Sequence, residues 1–211
     1  MRMRSAFLLV DRFRMSRAAG AYALALAAAS AACAADRSAP HAAPDAGCLP
    51  RGNGYVKARV AGAFDAELDW RNEDMECTGA VRPDGGVRMR FSGLEAGGRL
   101  VLVLGIGGLR EGANARLLPV NVTLMREGKG EFYSTQGEDK CMLDEVRQEP
   151  LVGIPHRSRS YRVVARGACT EPARAVRGAG AVLLSRFDVA GRIDFESADS
   201  ASDAELTTNA P

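Results

Sequence analysis

The chain has 211 residues, of which 46% are hydrophobic and 26% are charged. This composition is that of a globular protein, which excludes a disordered chain and a protein embedded in a membrane. The length suits one domain with tails, and the formal net charge of +2 comes from 28 basic and 26 acidic residues.

Residues 1–32 have the features of a secretory signal peptide. Five arginines and one aspartate lie within the first 17 residues, and an alanine-rich apolar run follows over residues 18–32. A transmembrane helix needs about 20 predominantly apolar residues, and this run is shorter. Met15 is an alternative start, because residues 15–33 already form a complete signal.

The end of the apolar run resembles the signal of bacterial lipoproteins. Ser30, Ala31 and Ala32 precede Cys33, which the resemblance implies is the lipidated first residue of the mature protein. The family usually has leucine where Ser30 stands, and ordinary signal cleavage after Ala32 or Ala34 is the alternative. Because Ala34 and not aspartate follows the cysteine, the resemblance implies an anchor in the outer membrane, facing the periplasm or the cell exterior.

Removal of residues 1–32 changes the charge balance of the chain. It leaves 23 basic and 25 acidic residues, a net charge of −2. Without a basic excess, the main electrostatic force for nucleic-acid binding is absent, so no nucleic-acid partner is expected. The Ala- and Pro-containing residues 33–47 predict a flexible tether, and the polar, acidic residues 198–211 predict a disordered tail.

The cysteines outside the signal form an even set, which in an exported chain predicts two disulfides. They are Cys48, Cys77, Cys141 and Cys169. Three pairings are open, and loops of about 30 residues favour Cys48–Cys77 with Cys141–Cys169. A metal site is not expected, because no two cysteines have metal-ligand spacing and the only histidines are His41 and His156.

Apolar and polar residues alternate in six segments, which predicts six half-buried strands. The segments are residues 55–60, 64–70, 86–91, 120–124, 161–165 and 187–195. Residues 100–106 are continuously apolar and predict a strand covered on both faces. Residues 140–150 are ambiguous, and Thr170 is a candidate N-cap for a short helix ending at Val176.

Turn residues separate these segments at short, nearly regular intervals. Short strands with such turns predict an all-β fold, either an antiparallel β-sandwich or a partly closed barrel. We assign it to residues 48–197 as one domain, since no internal repeat or linker interrupts them.

Motifs for cofactor binding and nucleophilic catalysis are incomplete. Gly105, Gly107 and Gly108 follow an apolar strand, but Arg110 stands where a dinucleotide-binding loop has its third glycine. Only His156 is available as a base outside the tether, which disfavours a catalytic triad. The sequence therefore predicts no cofactor and assigns no catalytic residue.

Carboxylates are the remaining candidates for catalysis, and they lie in two clusters. The clusters are Asp69, Glu73, Asp74 and Glu76 around Trp70, and Glu138, Asp139, Asp144 and Glu145 around Cys141. Paired carboxylates beside an aromatic ring are typical of glycoside hydrolysis, so an envelope hydrolase near Trp70 is the alternative function. The competing interpretation is that Trp70 is buried in line with Phe64 and Leu68.

Arginines are the candidates for binding. Arg88 and Arg90 share one face of a predicted strand, and a loop with the start of another strand contains Arg157, Arg159 and Arg162. Such a patch suits an anionic envelope polymer or a lipid head group. The candidate ligand-facing residues are Trp70, Asp69, Arg88 and Arg90. We expect an exported lipoprotein that contacts the membrane through its lipid and acts as a binding or structural module of the cell envelope. Recognition of an envelope protein by strand addition is a further alternative.

Overall fold

The structure, a computed structural model, describes residues 47–137, 140–153 and 159–195. These residues form eleven strands and a single 3-10 turn at Asn72–Asp74, which confirms the all-β prediction. In chain order the strands are β1 Tyr55–Gly62, β2 Ala66–Arg71, β3 Met75–Val81, β4 Val87–Glu95, β5 Gly98–Ile106, β6 Leu118–Arg126, β7 Glu131–Ser134, β8 Cys141–Pro150, β9 Ser160–Cys169, β10 Ala173–Ala175 and β11 Ala181–Asp194.

Seven of the strands form a closed barrel in the order β3, β4, β5, β6, β8, β9 and β11. Neighbouring strands are antiparallel except at the closing position, where β11 runs parallel to β3 and Asp194 lies opposite Ala80. Of the two architectures that the sequence predicts, the barrel is the one formed, and one parallel contact completes its closure.

The closing contact requires that one residue of β3 has no side chain. A Cβ atom added to Gly79 would lie 2.2 Å from the backbone oxygen of Arg192 and 2.9 Å from Cγ1 of Ile193. Both distances are too short for carbon, so β11 approaches β3 this closely only because residue 79 is glycine.

The longest strand, β11, connects the barrel to the remaining strands. One edge of β11 pairs with β10 and β9, and the other edge pairs with β1 and then β3. The β1–β2 hairpin therefore lies beside the closing contact, and β2 has no strand partner beyond β1 among the described residues.

The core is formed by inward-facing residues of the barrel strands together with those of the β1–β2 hairpin. The large side chains that are completely or almost completely buried are Phe91, Phe187, Leu68, Met89, Leu102, Leu104, Ile106, Leu124, Leu143, Leu184, Ile193 and Val56. Burying each such side chain contributes about 1.5–3 kcal/mol relative to leaving it exposed. Packing of these residues fixes which side chains of the same strands point outward.

Two disulfides join the cysteines in the pairing favoured by loop length, Cys48–Cys77 and Cys141–Cys169. The first attaches the segment before β1 to β3. The second joins facing residues at the start of β8 and the end of β9. The two disulfides indicate an oxidising, exported environment for this domain.

The segment before β1 is also held by Asn72, which is buried between β2 and β3. The backbone oxygen of Asn72 accepts a hydrogen bond from the N–H of Cys48 at 3.1 Å. Its side-chain oxygen accepts hydrogen bonds from the N–H groups of Leu49 and Gly54 at 2.8 and 3.0 Å. Asn72, a turn residue in the sequence, is therefore a buried polar residue that holds the segment before β1 by hydrogen bonds.

Two ambiguous regions of the sequence are strands. Residues 140–150 contain β8, in which a bulge between Leu143 and Glu145 interrupts the alternation. The helix beginning at Thr170 is a wrong prediction, because Ala173–Ala175 is β10 and bridges β7 and β11.

Several sequence predictions fall outside the described residues. They are the signal peptide with its start at Met1 or Met15, Cys33, most of the tether, His41, Glu138, Asp139, residues 154–158 with His156 and Arg157, and the tail. Within the described ranges, no helix is long and apolar enough to span a bilayer.

The closing contact can be tested with Gly79→Ala. We expect this variant to lower the free energy of unfolding by roughly 1–3 kcal/mol, because the added methyl group overlaps backbone atoms of β11. Urea unfolding of the oxidised protein measures the change.

The matched control is Gly107→Ala, because a Cβ at this position would lie at ordinary distances from Pro119, 3.4 Å from its Cγ and 3.8 Å from its backbone oxygen. The control should unfold at or slightly above the wild-type urea concentration. Equal stability of the two variants would contradict the role of Gly79.

Candidate functional site

Trp70, a candidate ligand-facing residue, lies inside the protein with only 4% of its surface exposed. Its ring packs against Gly93, where a Cβ atom would lie 2.7 Å from two ring carbons. The indole Nε1 donates a hydrogen bond to Oε1 of Glu95 at 2.7 Å. Trp70 therefore offers no open face for stacking on a sugar. Its position agrees with the interpretation that the ring is buried in line with Phe64 and Leu68.

The carboxylates around Trp70 are occupied by basic side chains on the surface. The pairs are Asp69 with Lys57 at 3.7 Å, Glu73 with Arg71 at 3.4 Å, Asp74 with Arg71 at 3.1 Å and Glu76 with Arg99 at 3.7 Å. Hydrogen bonds from the side chain and the backbone N–H of Arg71 lower the pKa of Asp74. A glycoside hydrolase needs one carboxylic acid of raised pKa, so this lowering opposes the requirement.

The second carboxylate cluster is dispersed where it is described. Asp144 is exposed at the bulge of β8, and Glu145 pairs with Arg147 at 2.8 Å. No three His, Cys, Asp or Glu side chains of the described residues are grouped in a way that could hold a metal ion. Neither cluster forms a site within these residues.

Arg88 and Arg90 project from the outer face of β4 into a groove of about 450 Å³ where the barrel closes. We call it the seam groove. Its lining residues are Thr78, Gly79, Ala80, Arg88, Arg90, Val103, Met125, Arg192 and Asp194. The structure thus adds a third arginine, from β11, to the two that the strand pattern identified.

The groove follows from the register of three strands. Ala80 of β3 lies opposite Arg88 of β4 on one side and opposite Asp194 of β11 on the other. Neighbouring strands are about 4.8 Å apart, so the Cα atoms of Arg88 and Asp194 are separated by about 10 Å. The small side chain of Ala80 leaves the space between these longer side chains open.

Positive charge predominates in the seam groove. Three arginines and one carboxylate line it, a net charge of +2. Nη2 of Arg90 lies 3.5 Å from Oε1 of Glu127, whereas Arg88 makes no ion pair with another described residue. An open cationic groove of this kind attracts anions.

Arg192 is the most buried arginine of the groove. It is 20% exposed, and its Nε atom is buried without a hydrogen-bond acceptor. The nearest carboxylate oxygen, Oδ2 of Asp194, lies 3.4 Å from Nε. The other oxygen of Asp194 accepts a hydrogen bond from the hydroxyl of Ser160. Arg192 therefore contributes its charge to the groove, while its Nε is enclosed beside Asp194.

Sequence patterns located two of these residues but not the third. Arg192 alternates with the inward-facing Ile193, so the pattern predicts only that it points outward. Its position beside Arg88 depends on the parallel contact of β11 with β3, for which the sequence carries no local signal. Asp69, in contrast, lies in a separate surface depression with Lys57.

Other arginines considered for binding are held in ion pairs. Nε of Arg159 lies 3.0 Å from Oε1 of Glu111, and Nη1 of Arg162 lies 3.2 Å from Oε2 of Glu149. These pairs reduce the positive field of that surface, so the seam groove remains the strongest cationic candidate among the described residues.

Comparison with known proteins does not assign the chain to a family. No protein-family model matches the chain, and no curated protein or solved structure is significantly similar to it. The chemistry of the seam groove is therefore the basis for assigning a function.

The burial of Trp70 can be tested by fluorescence, because it is the only tryptophan of the chain. We expect a blue-shifted emission with weak acrylamide quenching, since the ring is packed away from water, and a red shift on unfolding. Envelope oligosaccharides should leave the folded spectrum unchanged. A saccharide-dependent change that Trp70→Phe abolishes would instead support the hydrolase.

A second test concerns the outer face of β1 and β11, away from the groove lining. The hydroxyl of Tyr55 donates a hydrogen bond to Oδ1 of Asp188 at 2.7 Å, and Arg166 binds the other oxygen at 2.8 Å. Burial and then this hydrogen bond raise the pKa of Tyr55 above 10. Its stabilising contribution is therefore complete below pH 10 and lost as the pH rises through the folded-state pKa.

Ultraviolet titration of tyrosinate should show a late step that is absent from Tyr55→Phe. The wild type should also lose more stability than this variant as the pH rises above 10. Titration of Tyr55 at the pH of a free tyrosine would contradict the hydrogen-bonded arrangement.

Proposed function

We propose that the protein is an exported bacterial lipoprotein whose β-barrel domain is a binding module of the cell envelope. Cys33 carries the lipid, and residues 34–47 connect the anchor to the domain. An anchor with several acyl chains is stable where a single chain is marginal. The signal features of residues 1–33 and the two disulfides support this assignment.

The seam groove is the observation that favours binding over a purely structural role. It combines a net charge of +2 with an exposed Arg88 that makes no ion pair with another described residue. The mature chain has a net charge of −2, so this groove is a local concentration of positive charge on an acidic protein. An anionic component of the envelope is the partner that this distribution favours.

The two alternative functions have less support. The hydrolase lacks an exposed aromatic ring at Trp70, and hydrogen bonds from Arg71 lower the pKa of Asp74 in its cluster. Strand addition would use the open edge of β2, but β2 has six residues and exposes the charged side chains of Glu67, Asp69 and Arg71. Short, charged edges protect a sheet against pairing with other chains.

Intact mass spectrometry of the mature protein tests the anchor. We expect an N-terminus at Cys33 with added acyl mass, together with loss of the four thiol hydrogens of the two disulfides. Cys33→Ser should abolish acylation because the lipidated thiol is removed. The matched variant Ser30→Leu restores the residue that the lipoprotein signal usually has, so it should be processed at least as completely.

An unmodified mature chain that begins at Cys33 or Ala35 would overturn the anchor and indicate ordinary signal cleavage. Four free thiols in the protein from its native compartment would overturn the exported environment.

A further inference from the structure

We propose that the seam groove binds a phosphate ester, with Arg192 and Arg88 as its principal ligands. This inference rests on the proposed role as a binding module and specifies the chemical class that the module recognises. It is argued from the donors in the groove, their charge and the chemistry of the remaining lining.

The donors of Arg192 and Arg88 are the first reason. Both side chains line the groove, Nε of Arg192 lies beside Oδ2 of Asp194 at 3.4 Å, and Arg88 makes no ion pair with another described residue. A guanidinium group presents its N–H donors in a planar fork that fits phosphate oxygens two at a time. An oxyanion between these side chains would accept from the remaining donors of the two guanidinium groups.

The charge of the groove favours phosphate over carboxylate. A phosphate monoester carries about −1.5 to −2 charges at pH 7 and has three acceptor oxygens. This nearly matches the net +2 of the lining. A carboxylate carries one charge on two oxygens, and Asp194 already places such a group 3.4 Å from Nε of Arg192.

The remaining lining favours an ester over free phosphate. The hydroxyl of Thr78 adds a polar group beside Arg90, which faces it across the β3–β4 pair. Val103 and Met125 line the β5 and β6 side of the same groove and are only partly buried. They give an apolar surface to the organic part of the ligand, while the open floor at Ala80 gives space to the phosphate.

Isothermal titration of the mature protein in a non-ionic detergent tests the site with glycerol 3-phosphate, inorganic phosphate and galacturonic acid. We expect glycerol 3-phosphate to bind more tightly than inorganic phosphate and galacturonic acid to bind weakest. Arg192→Met should weaken phosphate binding roughly 10–100-fold, because a hydrogen bond to a charged group is lost. The side-chain Nε–H resonance of Arg192 should shift when glycerol 3-phosphate is added.

Ala80→Leu provides a second variant that removes no arginine. Ala80 is exposed, so a leucine there should fill the groove without disturbing the core, and binding should fall at least tenfold. Trp70 fluorescence verifies that each variant is folded. The matched controls are Arg59→Gln and Arg186→Gln, which remove exposed arginines from another surface depression and should bind like the wild type.

Dihexanoyl phosphatidic acid, below its micellar concentration, distinguishes a lipid head group from a soluble ester. Tighter binding than glycerol 3-phosphate supports a lipid source, and equal binding supports a soluble or polymeric ester. The proposal is overturned if none of the phosphates binds, if galacturonic acid binds as tightly, or if the control variants lose as much affinity as Arg192→Met. If the protein is lipidated but binds no phosphate, only the phosphate site in the seam groove is refuted. If the protein binds phosphate esters but is not lipidated, only the lipid anchor is refuted.

Discussion

The close approach of β11 to β3 is the constraint on which the rest of the structure depends. Antiparallel pairs alone connect all eleven strands, but the ring is complete only when β11 reaches β3. The absence of a side chain at Gly79 permits that approach. The same contact brings Arg192 and Asp194 of β11 next to the outer face of β4, so closure of the core and assembly of the groove are one event.

The disulfides support this closure from two sides. Cys77 lies on β3, two residues before Gly79, and Cys48 ties the segment preceding β1 to it. Cys141 and Cys169 connect β8 to β9, and β9 is the neighbour of β11 within the ring. Each bridge closes a loop of about 30 residues. By restricting the unfolded chain, it raises the free energy of unfolding by about 3–4 kcal/mol. One strand of the seam, β3, and the ring neighbour of the other, β9, are therefore constrained by covalent links that persist in an oxidising compartment.

Alternation in the sequence predicted β1, β2, β4, β6, β9 and much of β11, but it missed β7 and also β3, although burial alternates along β3. It failed where the pleat is interrupted, because the bulge at Asp144 shifts Leu143 and Val146 onto the same face of β8 despite an odd spacing. It also failed at β10, whose three residues are strand through pairing with β7 and β11. The sequence likewise predicted only part of the seam groove. Arg88 and Arg90 were identified because they share a strand, whereas Arg192 lies beside them only through the long-range contact of β11 with β3.

Folding explains only part of the positive charge in the seam groove. Nε of Arg192 lies 3.4 Å from Oδ2 of Asp194, and this ion pair balances a carboxylate whose side chain is only 11% exposed. The contact leaves Nε without a hydrogen-bond acceptor, and a buried donor of this kind costs about 1–3 kcal/mol, a substantial part of the 5–15 kcal/mol by which a domain is usually stable. One cation is enough to balance Asp194, whereas three arginines line the groove and Arg88 makes no ion pair with another described residue. Recognition of an anion accounts for this excess of positive charge, which folding does not require.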